Sequence, residues 1–222
     1  MRPKIYLLPG MAADRRLYQN YTFEGYTVEV LEWIEPLKNE PFDAYARRYS
    51  EPINTAEPFV LIGTSLGGVV AGHISQYLNP ELVVLISSIL HVGELPKRLR
   101  AFRYFPLHKI TPFFLVKHSI QMMRMINGGA EREQLKLLHQ MVDCVSPHFF
   151  RWAAHQMVSY QRKEFRAKHY LQIHGTLDSI FPIRYITGIT HEIDGGNHFM
   201  VIDKSKRINQ IILDELDKLE IK

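Results

Sequence analysis

Residues 58–70 read Pro58-Phe59-Val60-Leu61-Ile62-Gly63-Thr64-Ser65-Leu66-Gly67-Gly68-Val69-Val70. An apolar run rich in β-branched residues leads into Gly63-Thr64-Ser65-Leu66-Gly67, and a helix-like stretch follows to residue 78. A serine spaced G-x-S-x-G between strand and helix predicts a sharp turn that holds Ser65 in a strained backbone conformation, with its hydroxyl exposed above a sheet. The flanking glycines let the strand and helix approach closely. At the helix N-terminus the Leu66 N–H faces the same space, where it can hold a developing oxyanion.

Outward from this turn, apolar runs alternate with helix-like stretches, the pattern of a parallel sheet covered by helices on both faces. Strands are predicted at residues 5–8, 26–31, 58–63, 82–86, 170–174 and 189–193, and helices at 43–53, 66–78 and 204–219. The last helix places Ile208, Ile211, Ile212, Leu216 and Leu219 at helical spacing. The rhythm breaks over residues 91–168, which hold no clear strand and are interrupted at Pro106, Pro112, Asn127-Gly128-Gly129 and Pro147. The predicted fold is α/β: a doubly wound, mostly parallel sheet of about six strands built from residues 1–90 and 169–222. Residues 91–168 are expected to form a helical cap.

Composition sets the outer bounds. A chain of 222 residues with 46% hydrophobic content fills one core. No apolar run reaches membrane-spanning length, and the N-terminal residues lack the features of a signal peptide, so a cytoplasmic protein is expected. Cys144 is the single cysteine, which excludes an internal disulfide and a thiolate metal cluster. Between His91 and Tyr170 there are 14 lysines and arginines against 5 acidic residues. That excess suits an acidic substrate or a lipid headgroup surface, or is simply the solvated face of surface helices. Basic charge without a nucleic-acid motif is only weak evidence for nucleic acid.

A nucleophilic serine needs a base, and the base needs an orienting acid. His174-Gly175-Thr176-Leu177-Asp178 follows the fifth predicted strand, and Gly195-Gly196-Asn197-His198-Phe199 follows the sixth. Both therefore lie at C-terminal strand ends, the sheet edge that carries Ser65 and the edge where open α/β sheets bind ligands. His198 is the expected base and Asp178 the expected acid. Competing readings are Asp178 as a turn cap, Asp194 as the acid four residues before His198, and His198 as a hydrogen-bonded loop histidine. His174 reads as a packing residue, and His73 as core or helix surface. After the first strand, Pro9-Gly10-Met11 suits a turn that presents the Met11 N–H to Ser65, although Pro-Gly is also an ordinary turn.

Taken together, these segments resemble the α/β-hydrolase superfamily nearly end to end. The resemblance implies an acyl-enzyme on Ser65, hydrolysed by water that His198 activates. It also implies a sheet that starts at the usual third of eight strands, a version trimmed at the N-terminus. Pro9-Gly10 departs from the His-Gly common in the oxyanion loop. A serine nucleophile disfavours chemistry of the haloalkane dehalogenase or dienelactone hydrolase kind. The expected reaction is cleavage of a small-molecule carboxylic ester or thioester. A lyase or acyltransferase using the same residues, and a silent ligand-binding module, are the alternatives. No metal motif or phosphate-cradling loop occurs, and no cofactor is required.

For the substrate, Phe102, Tyr104, Phe105, Phe113, Phe114, Leu115 and Val116, with Met122, Met123 and Met125, either line an acyl pocket or fasten the cap to the sheet. Arg98, Arg100, Arg103 and Lys109 are candidates to attract an anionic group on that substrate. Neither stable membrane insertion nor a nucleic-acid partner is expected, and oligomeric state is not readable from these residues.

Overall fold

The computed structural model describes residues 2–105, 132–160 and 167–220. Six strands form one parallel sheet in the order β2-β1-β3-β4-β5-β6. They are β1 (Lys4–Leu8), β2 (Val28–Val30), β3 (Phe59–Thr64), β4 (Leu82–Ile86), β5 (His169–Gly175) and β6 (His191–Ile193). Central strands are apolar on both faces because helices cover both: every residue of β3 and β4 is buried. Alternation divides the core in two. Leu61, Val83 and Leu85 face α1 (Phe42–Tyr49) and α2 (Leu66–Ile74), whereas Val60, Ile62, Val84 and Ile86 pack with Ile208, Ile211 and Ile212.

Between β4 and β5 the described elements are helical: α3 (Lys97–Arg100), α4 (Arg132–Asp143) and α5 (Pro147–Ser159), with short 3-10 turns at Val92–Glu94 and Ala101–Arg103. Ser146 caps α5 by accepting the Phe149 N–H at 2.9 Å, and Pro147 occupies its first turn, where no N–H is needed. The chain closes with α6 (Met200–Asp203) and α7 (Ser205–Glu220). No helix among the described residues is long and apolar enough to cross a membrane.

The differences from the sequence-based reading are local. The strand predicted at residues 26–31 shortens to Val28–Val30, because it is an edge strand paired only with Ile5–Leu7 of β1. Its predicted start is consumed by a turn, Tyr26 N–H to Phe23 O at 3.0 Å. The first helix ends at Tyr49 rather than residue 53, since the Ser50 hydroxyl donates back to Arg47 O at 2.8 Å and the chain turns. Likewise α2 stops at Ile74, short of residue 78, where Ser75 Oγ donates to Gly72 O at 2.9 Å.

Two glycines allow the close packing that the turn at Ser65 needs. A Cβ on Gly63 would run into the Gly67 carbonyl, and one on Gly67 into the Leu8 carbonyl of β1. Backbone cannot move aside as a flexible side chain can. Gly67→Ala is therefore expected to cost about 3 kcal/mol, the scale of overpacking a tight interior. Urea denaturation of the variant against wild type measures it.

Candidate active site

The backbone forces Ser65 into position. Its N–H donates to Ile86 O of β4 at 2.9 Å, and its carbonyl accepts the Ser88 hydroxyl at 2.7 Å and the Gly68 N–H at 3.0 Å. Held in this way, Ser65 adopts φ 52° and ψ −116°, a region that a side chain occupies only under constraint. Ser88, which no sequence pattern singled out, is thus a direct support of the turn.

Asp178 and His198 come from adjacent loops that are tied together. Thr176 N–H donates to Ile193 O at 3.1 Å, Leu177 N–H to Gly196 O at 2.8 Å, and Gly195 N–H to Thr176 Oγ1 at 2.9 Å. Asp178 Oδ1 accepts the backbone N–H groups of Ile180 at 2.9 Å and Phe181 at 2.8 Å. Its Oδ2 lies 2.8 Å from His198 Nδ1, and His198 Nε2 lies 3.1 Å from Ser65 Oγ. The imidazole is fixed edge-to-face between Phe181, with ring centroids 4.9 Å apart, and Phe199, at 5.7 Å. Asp178 and His198 are both buried.

Burial pushes the Asp178 carboxyl up, but the His198 charge and hydrogen bond, the Phe181 N–H and the nearby His174 outweigh it. The net position is below the ordinary carboxylate range, so Asp178 is ionised at neutral pH. With a carboxylate on Nδ1, His198 keeps its proton there and leaves Nε2 free to accept one from Ser65. Asp194, the rival acid, is exposed, and its carboxylate accepts the Thr176 hydroxyl at 3.4 Å.

His174 is fully buried. Its Nε2 donates to Phe181 O at 2.8 Å and lies 3.5 Å from Asp178 Oδ2, while its Nδ1 has no partner among the described residues. Burial lowers its basicity, so it is a neutral brace under the Asp178 loop as well as a packing residue. Its place four residues before Asp178 was the signal available in the sequence. His73 is buried in α2, with Nε2 3.1 Å from Asp43 Oδ1 and Nδ1 3.3 Å from the Tyr160 hydroxyl.

The loop after β1 backs onto the serine: a Cβ on Gly10 would sit 3.8 Å from Ser65 Cβ. Trp33 Nε1 and the Ala13 N–H both donate to the Gly10 carbonyl, at 2.9 and 3.0 Å, which fixes the turn. Among the described residues, neither the Met11 nor the Leu66 N–H reaches an acceptor. Both residues border a cavity of about 540 Å³ that also contains Ser65 and His198.

No sequence-family profile matches the chain, and no curated protein matches it in sequence. Solved structures do. MenH from S. aureus superposes with TM-score 0.75 at 16% identity, covering 98% of this chain and 95% of its own. This chain has the α/β-hydrolase fold. An esterase from Exiguobacterium antarcticum (TM-score 0.73, 14% identity, 97% and 92% coverage) shares it. So does the type II thioesterase YbtT of the yersiniabactin NRPS/PKS biosynthetic pathway (TM-score 0.62, 15% identity, 97% and 93% coverage). In the α/β-hydrolase fold of this chain, Leu95, Leu99 and Phe102 from the segment after β4, and Phe150 and Met157 from α5, wall the cavity. Arg98, Arg100 and Arg103 do not line it; the Arg98 guanidinium donates to Ser179 O at 2.8 Å instead. Lys109, Phe113, Phe114, Leu115, Val116, Met122, Met123 and Met125 lie outside the described residues.

Proposed function

We propose that this chain is a serine hydrolase that cleaves a carboxylic ester or thioester through an acyl-enzyme on Ser65. One observation carries the reading: the unbroken run of contacts from Ser65 Oγ through His198 to Asp178, set on a strained turn. A pure binder has no use for that arrangement. Esterases and a type II thioesterase among the structural neighbours support it.

In the proposed reaction Ser65 Oγ attacks the acyl carbon while His198 Nε2 takes its proton. The carbonyl oxygen becomes an oxyanion held by the Met11 and Leu66 N–H groups. As the acyl C–O or C–S bond breaks, the imidazolium returns the proton to the departing alcohol or thiol. Water then repeats the sequence on the acyl-enzyme, giving one proton to His198, which passes it to Ser65 Oγ as the acid leaves. Asp178 holds the imidazole tautomer and stabilises the imidazolium without itself taking the proton. Residues 91–168 act as the cap over this site, a role supported by the side chains that they contribute to the cavity wall.

Intact-mass labelling with a fluorophosphonate tests the proposal without knowledge of the substrate. The expected result is a single adduct on wild type, mapped to Ser65 and absent from Ser65→Ala and His198→Ala. Folded wild-type protein that takes no adduct from even the smallest probe would sink it.

A further inference from the structure

β5 places a histidine where the sheet otherwise buries apolar side chains. Leu171 and Ile173 pack in the core with Ile208 and Ile212, so alternation turns Gln172 and His174 to the opposite face, where both are fully buried. Burying an imidazole is costly unless its polar atoms find partners. His174 gives its N–H to the loop that carries Asp178: Nε2 donates to Phe181 O at 2.8 Å. Phe181 in turn reaches both the acid and the base. Its own N–H donates to Asp178 Oδ1 at 2.8 Å, and its ring meets the His198 imidazole edge-to-face, with centroids 4.9 Å apart. A shift of Phe181 therefore disturbs acid and base together. The same His174 Nε2 lies 3.5 Å from Asp178 Oδ2, the oxygen that sits 2.8 Å from His198 Nδ1. Asp178 thus stands between two imidazoles.

The two imidazoles differ in the proton that each carries. A carbonyl can only accept, so Phe181 O fixes the His174 proton on Nε2 and leaves Nδ1 of the neutral ring bare. A second proton, on Nδ1, would find no acceptor among the described residues. Burial opposes a charge on His174 most strongly; the Asp178 carboxylate, the Phe181 carbonyl and the Glu94 carboxylate favour one, and His198 opposes it. The net effect lowers its basicity, so His174 works as a neutral donor. His198 instead exposes Nε2 to Ser65 Oγ at 3.1 Å, where it exchanges a proton.

We propose that His174 is a positioning residue for the acyl transfer: as a neutral Nε2–H donor it holds Phe181, and through Phe181 and Asp178 it sets how tightly the base keeps its proton. The proposal rests on the acyl-transfer reading of Ser65. Without the donor, Phe181 is free to draw its N–H away from Asp178 Oδ1, and Oδ2 loses the N–H dipole beside it. The carboxylate left behind is more basic and grips the imidazolium more firmly. An imidazolium gripped in this way returns its proton to the leaving group less readily, and it forms at higher pH.

The test compares the full chain as wild type, His174→Leu and His174→Gln on a neutral ester. Leucine fills the space and removes the donor; glutamine restores an amide N–H at the reach of Nε2. For His174→Leu, kcat is expected to fall about tenfold, the scale of one hydrogen bond withdrawn from the transition state, with KM within about twofold of wild type. The acid limb of its kcat/KM profile should move up by about half a pH unit. His174→Gln should bring the limb back and kcat to within about threefold of wild type. A residue that only filled space would respond in the opposite order, accepting leucine better than glutamine. Imidazole 15N spectra of wild type give a readout independent of how either variant folds. His174 should show the Nε2–H tautomer, unchanged across about pH 6–8. A leucine variant with wild-type kcat and acid limb, a limb moved to lower pH, glutamine no better than leucine, or a wild-type His174 with its proton on Nδ1 would overturn the proposal. A small fluorophosphonate on wild type separates the failures. Ser65 labelled alongside any of these removes the positioning role alone. Ser65 unlabelled removes the acyl-transfer reading and this inference with it.

Discussion

Replacing Ser65 by alanine is expected to lower kcat for ester hydrolysis by a factor on the order of 10⁶, the loss typical when the nucleophile of a working triad is removed. Thermal stability should hardly change. The Ser65 hydroxyl contributes one hydrogen bond, to His198 at 3.1 Å, while the backbone bonds to Ile86, Gly68 and Ser88 remain. Ser65→Gly sharpens the test. Glycine tolerates φ 52°, ψ −116° without a Cβ, so this variant should be equally inactive yet more stable by about 1 kcal/mol. Kinetics on a neutral ester, paired with urea denaturation, separate the two effects. A Ser65→Gly protein no more stable than Ser65→Ala would mean that the turn stores no strain.

Asp178→Asn carries the second large effect, a fall in kcat of about 10⁴. The carboxylate uses Oδ1 for the Ile180 and Phe181 N–H groups and Oδ2 for His198 Nδ1. An asparagine that keeps its oxygen on the two amides must turn its NH₂ toward His198. The imidazole then carries its proton on Nε2 and can no longer accept one from Ser65. The same residue gives a pH signature. Its folded carboxyl titrates below the ordinary value of 3.8, despite burial, because of His198, the Phe181 N–H and His174. The stability that this provides is fully present above the unfolded value and is lost as pH falls through the lower folded one. Wild type should therefore lose stability over that acid window, with Asp178→Asn losing less. Acid titrations of both, followed by circular dichroism, check it; parallel curves would show that Asp178 contributes nothing to acid unfolding.

Much of this was legible because the decisive signals are local. The strand predicted at residues 82–86 is β4, Leu82–Ile86, since a run apolar on both faces can only sit inside a covered sheet. The turn at Ser65 was readable because its glycines answer to clashes within a few residues and one neighbouring strand. The boundaries that moved did so for equally local but weaker reasons. Ser50 and Ser75 each turned a hydroxyl back on the helix, and β2 had only one neighbour to extend along.

What the sequence could not reach are meetings across long separations. His198 and Ser65 lie 133 residues apart; their order along the chain suggested a partnership, but only the folded loops bring them within a hydrogen bond. His174 bracing the Phe181 carbonyl and Ser88 holding the Ser65 carbonyl depend on how β4 and β5 end side by side. Buried Glu94 binds the Leu90 and Thr187 amides, joining segments 93 residues apart. The cavity beside Ser65 is further from the sequence still. Its volume depends on how Leu95, Met157 and Val158 pack around a serine that none of them adjoins in the chain. Periodicity and turn chemistry act over a few residues and determined the sheet, its edge and the residue types at the site. Distance, burial and the shape of empty space are properties of packing, and only the tertiary structure decided them.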